Sequence, residues 1–171
     1  MALGVGKFLE ALYGDLSLYV RQSAWLNAVP ERAKNSKSEG PRLSRLEKQR
    51  KAWAKEEAER EESDYRPDMP QVDAEHLLSY LWEVGPVLSS GGYPKAVTHE
   101  ELRAWQSNTG IELDAWESRF LCRLSREYLL ESNRAEKVDC PEPLRERADY
   151  VPDLAAVAKS MQQALKELAK L

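Results

Sequence analysis

The sequence predicts an all-α protein, and three observations carry that prediction. Apolar residues recur at spacings of three and four in several stretches, which is the helical period. Two of those stretches open with a side chain that caps a helix and a glutamate three residues on, Thr98 with Glu101 and Asp114 with Glu117. No stretch alternates apolar and polar residues with the period of two that a half-buried strand needs. The predicted architecture is a small helical domain, preceded by an amphipathic helix and a charged helical connector.

Residues 1–30 form the amino-terminal amphipathic helix. Val5, Phe8, Leu9, Leu12, Leu16, Tyr19 and Val20 share one face, with Lys7, Glu10 and Arg21 outside it, and Asn27 and Pro30 end it. The bland reading of this stripe is packing on its own domain. The functional reading is a docking face, with Phe8 and Leu12 as contact residues.

Residues 31–71 form a charged helical linker. The run from Glu31 to Pro41 is polar and ends on Gly40–Pro41. Arg42 to Glu62 is a helix candidate with a thin apolar seam of Leu43, Leu46 and Trp53. Its basic residues come first and its acidic ones last, opposite to the helix dipole. Pairs such as Glu47–Lys51 and Glu56–Arg60 offset this by about 0.2–0.5 kcal/mol each. The expectation is a solvated, fraying spacer. Pro67 and Pro70 mark a hinge.

Residues 72–134 form the compact helical domain, expected to fold without the first seventy residues. Asp73 is the expected cap of a short helix carrying Leu77, Leu78, Leu81 and Trp82, which Gly85–Pro86 stops. Val87 to Lys95, with Gly91–Gly92, is expected to be a loop. Thr98 and Glu101 then make a capping box, with Val97 and Leu102 as its hydrophobic staple. Leu102 and Trp105 face one way until Gly110 ends that helix. Asp114 restarts the chain with Glu117, and Trp116, Phe120, Leu121, Leu124, Tyr128 and Leu129 give a wide apolar face. Residues 135–171 are a loop around Cys140 and a carboxy-terminal amphipathic helix with Leu154, Val157, Met161, Leu165 and Leu168 on one face.

Composition narrows the function. The net charge of −4 argues against general affinity for nucleic acid or anionic membrane. No long uncharged apolar run predicts a membrane span, and Glu10 and Asp15 interrupt what would be a secretory signal. Two cysteines make no disulfide framework, so a reducing cytosol is expected. No catalytic, metal-binding or cofactor-binding residue is predicted. His99–Glu100 opens like a zinc-protease motif, but Arg103 stands where its second histidine belongs. His76, His99, Cys122 and Cys140 match no common zinc spacing. The helix pair around Gly110 has the outline of a helix-turn-helix, but Asp114 and Glu117 put acids where phosphate would lie. Protein binding is left. Five tryptophans are many for 171 residues, and tryptophan favours interfaces. Trp25 and Trp53, outside the compact domain, are the expected anchors.

The segment from Val97 to Leu130 also carries a resemblance. Glu101, Leu102, Ala104 and Trp105 are followed by Thr109–Gly110, Leu113, Trp116–Glu117, Leu124–Ser125 and Tyr128. This pattern resembles the small tail assembly chaperones of long-tailed bacteriophages, over about residues 74–131. The resemblance gives Thr98, Glu101, Leu102, Trp105, Gly110, Trp116, Glu117, Leu124 and Tyr128 structural roles. It implies a helper in the cytoplasm of the infected bacterium that keeps the tape measure protein soluble and assists the tail tube protein. In that family the matched segment often follows an upstream domain through ribosomal frameshifting. The first seventy residues have no counterpart in the pattern. The alternatives are a structural virion protein of tail or connector and, less favoured, a DNA-binding regulator. Oligomeric state is left open.

Overall fold

The computed structural model describes residues 2–32, 40–56 and 60–146. The carboxy-terminal helix expected after Pro152 lies outside these residues. Five α-helices and one small hairpin make up the described chain: α1 (Ala2–Asn27), α2 (Arg45–Glu56), α3 (Glu75–Val84), β1 (Leu88–Ser90), β2 (Tyr93–Lys95), α4 (His99–Thr109) and α5 (Ala115–Arg134). Short 3-10 turns sit at Glu62–Asp64 and Pro143–Glu146. The all-α class holds, with the hairpin as its one departure.

The hairpin corrects the expected loop at Val87 to Lys95. Gly91 and Gly92 both adopt positive φ, 62° and 86°, as a two-residue hairpin turn requires. Ser90 then pairs with Tyr93 and Leu88 with Lys95. Three-residue strands are too short to display a period of two. Ser125 of α5, fully buried, holds both ends of this unit. Its hydroxyl donates to the Pro86 carbonyl at 2.7 Å and accepts the Val97 amide at 2.7 Å.

α5 is the hub. α1 packs along it, and α3 and α4 rest on it. The core draws Leu12, Leu16 and Val20 from α1, Leu77, Leu78 and Leu81 from α3, Val97 and Leu102 around the α4 cap, and Phe120, Leu121 and Leu124 from α5. One cluster therefore crosses the composition boundary at residue 72. At α1's amino end, Phe8 departs from the expected stripe and is 61% exposed, one turn before the first buried leucine.

The caps of α4 and α5 form as the sequence implies. Both carry capping boxes: the Thr98 amide donates to Glu101 at 3.0 Å and the Asp114 amide to Glu117 at 2.8 Å. Gly110 ends α4 in the left-handed region at φ 73°. Asp73 does not cap α3. That place falls to Ala74, itself left-handed at φ 60°, and no side chain bonds the helix start there.

α2 also departs from expectation. It starts at Arg45 through an unforeseen capping box, in which the Ser44 amide donates to Glu47 at 2.7 Å and the Glu47 amide to Ser44 Oγ at 3.2 Å. It is docked and not a bare spacer. Arg45 is buried beneath the carboxyl end of α5, donating to the carbonyls of Ala135 at 2.6 Å and Lys137 at 2.8 Å. The Lys137 carbonyl also accepts the Cys140 amide at 3.2 Å, in the turn that follows α5.

The chain after α5 then crosses the outer side of α1. Buried Gln22 donates to Glu142 at 2.7 Å and accepts the Leu144 amide at 3.2 Å. Arg21 ties Glu131 at 2.9 Å to Glu146 at 3.2 Å, and Arg134 closes this group on Glu146 at 2.6 Å. Glu131 is 3% exposed, so its charge is compensated rather than solvated.

Candidate protein-binding groove

α1 and α3 both rest on α5, and the chain between Pro70 and Asp73 runs in beside them. A groove of about 790 Å³ remains between these three walls. Asp15 and Tyr19 come from α1, and Glu75, Leu78, Ser79 and Trp82 from α3. Val72 and Tyr19 are half-buried, while Leu78 reaches into the core. Trp82 is 38% exposed, its ring held edge-on to Tyr128 with centroids 5.6 Å apart. An indole gripped on one side and open on the other presents a large rigid surface at little entropic cost.

The rim of the groove is acidic. Asp15, Asp73 and Glu75 line it, and among the described residues no lysine or arginine does. The lining is mostly polar and acidic, with Tyr19, Val72, Leu78 and Trp82 as its apolar side chains. That suits a helical segment with an apolar stripe, and disfavours a nucleic-acid strand. No described group of histidines, cysteines and carboxylates could hold a metal ion. His99 does approach Cys122, at 3.7 Å, and Ser118, at 3.0 Å. Burial pushes the Cys122 thiol up, with nearby Arg126 opposing. Cys140 is raised by burial first and then by Glu131. Neither thiol has the low pKa of a nucleophile. No described helix is long and apolar enough to cross a membrane.

The residues expected to bind a partner do not gather on one surface. Leu12 is in the core and Phe8 is exposed. Trp25 is half-buried at the α1–α2 junction, where its Nε1 donates to the Cys140 carbonyl at 3.0 Å and the Arg45 guanidinium lies 4.7 Å over its ring. Trp53 lies 6.0 Å from the Tyr65 ring and 4.8 Å beneath the Arg60 guanidinium. Both rings, expected as partner anchors outside the compact domain, thus have partners within the chain.

The motif residues hold the helices together. Leu102 and Leu124 are fully buried. Trp116 meets Phe120 edge-on at 5.3 Å, and Trp105 packs on Tyr80 at 5.2 Å. The Trp105 Nε1 is buried with no hydrogen-bond partner among the described residues. Glu117 serves twice, closing its cap and pairing with His76 at 3.0 Å. Tyr128 supports Trp82 and borders a second hollow beside Asn27 and Arg42. Glu101 is held down at about 2, first by Lys95 at 2.7 Å and then by Thr98.

Sequence reasoning missed the groove because its walls lie far apart in the chain. One signal was present: Trp82 stands at the edge of the α3 stripe, turned about 100° from Leu81. Compared with protein-family models, curated proteins and solved structures, the chain has no match.

Proposed function

We propose that this protein is a phage tail assembly chaperone, a protein-binding module that docks an apolar helical segment of the tape measure protein in the α1–α3 groove. The observation that supports this most is the groove itself, lined by Tyr19, Val72 and a Trp82 that is 38% exposed. Tyr19, Val72 and Trp82 give a client's apolar stripe something to cover, and the carboxylates among them keep the complex in water. The acidic rim further favours clients with lysine or arginine beside that stripe. The local sequence pattern over residues 74–131 supplies the identity of the client, and the tail tube protein as a second partner. Binding in the host cytoplasm, without turnover of a small molecule, belongs to the same reading.

Co-expression with a candidate tape measure protein tests it. The expected result is that more of the client stays soluble and that it co-purifies with the chain. Trp82→Ala should weaken retention by about 2 kcal/mol if the indole is an anchor. No gain in client solubility from the wild-type chain would remove the chaperone reading and favour a virion component, which mass spectrometry of purified virions would detect.

A further inference from the structure

The face of α5 opposite the core carries a row of cations. Arg119, Arg123 and Arg126 follow one another at spacings of four and three, and Leu130 comes four residues later, so all four share one exposed helix face. Leu130 is 65% exposed. Between Arg119 and Leu130 no carboxylate shares that face. Glu127 stands at its border, where it accepts the Tyr13 hydroxyl at 3.3 Å. Arg21, Arg60, Arg134 and Arg145 each have a carboxylate partner, whereas these three arginines have none among the described residues. Arg123 is held instead over the Tyr13 ring, 3.8 Å from its centroid. In a chain of net charge −4, this row is a local excess of positive charge.

We propose that this row docks in the α1–α3 groove of a second copy of the chain, its arginines against Asp73 and Glu75 and its Leu130 against Trp82. Charge complementarity is the first argument. Asp73 and Glu75 are exposed in the groove and have no cationic partner among the described residues. Row and groove thus each hold the charge that the other lacks, and an arginine facing a carboxylate can donate two parallel hydrogen bonds. Spacing is the second argument. Glu75 and Trp82 are seven residues apart on α3, and so are Arg123 and Leu130 on α5. Seven residues make about two turns and about 10 Å of helix, so the ionic and the apolar contact form together. Exposure is the third. Trp82 and Leu130 are both open to water, and one docking event covers both. A leucine within the row also favours a protein occupant over a strand of phosphates. Row and groove are different surfaces, so the contact is head-to-tail and copies add in a line or a ring. One row of side chains buries little area, so the association is weak and follows concentration. A client helix competes for the same groove. The inference rests on the reading of that groove as a helix-binding site, and not on the identity of its client.

Sedimentation equilibrium of the full chain, with no client present, tests it. The expected result is an average mass that rises above the monomer with concentration and returns toward it in about 1 M salt, where the charges are screened. Leu130→Ala should weaken the association about tenfold and leave the thermal melt unchanged. Arg123→Glu with Arg126→Glu, and separately Asp73→Lys with Glu75→Lys, should each give a monomer. An equimolar mixture of the two double variants should associate again, because each offers the other opposite charge at both contacts. A wild-type chain that stays monomeric up to about 1 mM would overturn the proposal. Retention of that monomer on oligo(dT) through Arg123 and Arg126 would assign the row to a polyanion instead. Association that survives either double variant, or a mixture of folded variants that stays monomeric, would overturn it too. The salt response and Leu130→Ala need no charge reversal, so they decide the matter where a double variant fails to fold. None of these outcomes bears on client solubility, which co-expression reads separately.

Discussion

Ser125 shows how one hydroxyl organises a neighbourhood. It holds the carbonyl before the hairpin and the amide after it. Ser125→Ala leaves both buried groups unpaired, at about 1–3 kcal/mol each. The denaturant midpoint should fall accordingly, while Ser125→Thr, which keeps the oxygen, should lose less if its methyl fits. Arg45 has the same character. Its two carbonyl contacts and its place over Trp25 lead us to expect a loss of about 2–3 kcal/mol for Arg45→Ala. Arg45→Lys should recover little, since an ammonium cannot span both carbonyls. Glu101 is the residue with a pH signature. Its carboxyl is depressed to about 2 from an ordinary value of 4.5, with Lys95 as the largest cause. A depressed acid contributes stability that is fully present above its unfolded value and lost as pH falls through its folded one. The tie between hairpin and α4 should therefore persist from neutrality to below pH 4 and weaken toward pH 2. Carbon-13 titration of the Glu101 carboxyl should give a midpoint near 2, rising toward the ordinary value in Lys95→Ala. An unchanged midpoint in that variant would remove Lys95 as the cause.

At the scale of elements, Gly110 is a position that only glycine fills without strain, since φ is 73°. Gly110→Ala should destabilise by about 1–2 kcal/mol, measured by chemical denaturation. Thr98→Ala should cost about 1 kcal/mol through the lost cap. These helix ends were legible because their signals are local: the caps and the glycine stop lie within four residues of what they terminate. The Ser44–Glu47 box was equally local, but the charge pattern of the linker outweighed it. The hairpin escaped because its evidence is the Gly91–Gly92 pair alone, and a glycine pair signals any turn. Ala74 could not be anticipated as a left-handed residue, since nothing in alanine favours it. The groove was the least legible feature. Asp15, Asp73 and Trp82 acquire their relation only when α1 and α3 meet α5.

For the whole molecule, the shared core changes what truncation should do. Leu16 and Val20 of α1 are fully buried against residues of α3 and α5. A chain beginning at Met69 loses these side chains together, so the earlier expectation of independent folding for 74–130 gives way to that of a broad, non-cooperative melt. Leu16→Ala in the full chain should cost about 2–5 kcal/mol and lower one common transition. The central claim concerns the groove that this packing leaves open. Hydrogen exchange on the complex co-purified with the tape measure protein tests it most directly. The account predicts new protection at residues 15–19 and 70–82, diminished in Trp82→Ala. Protection confined to α2 or to the outer faces of α4 and α5, with residues 70–82 unchanged, would contradict it.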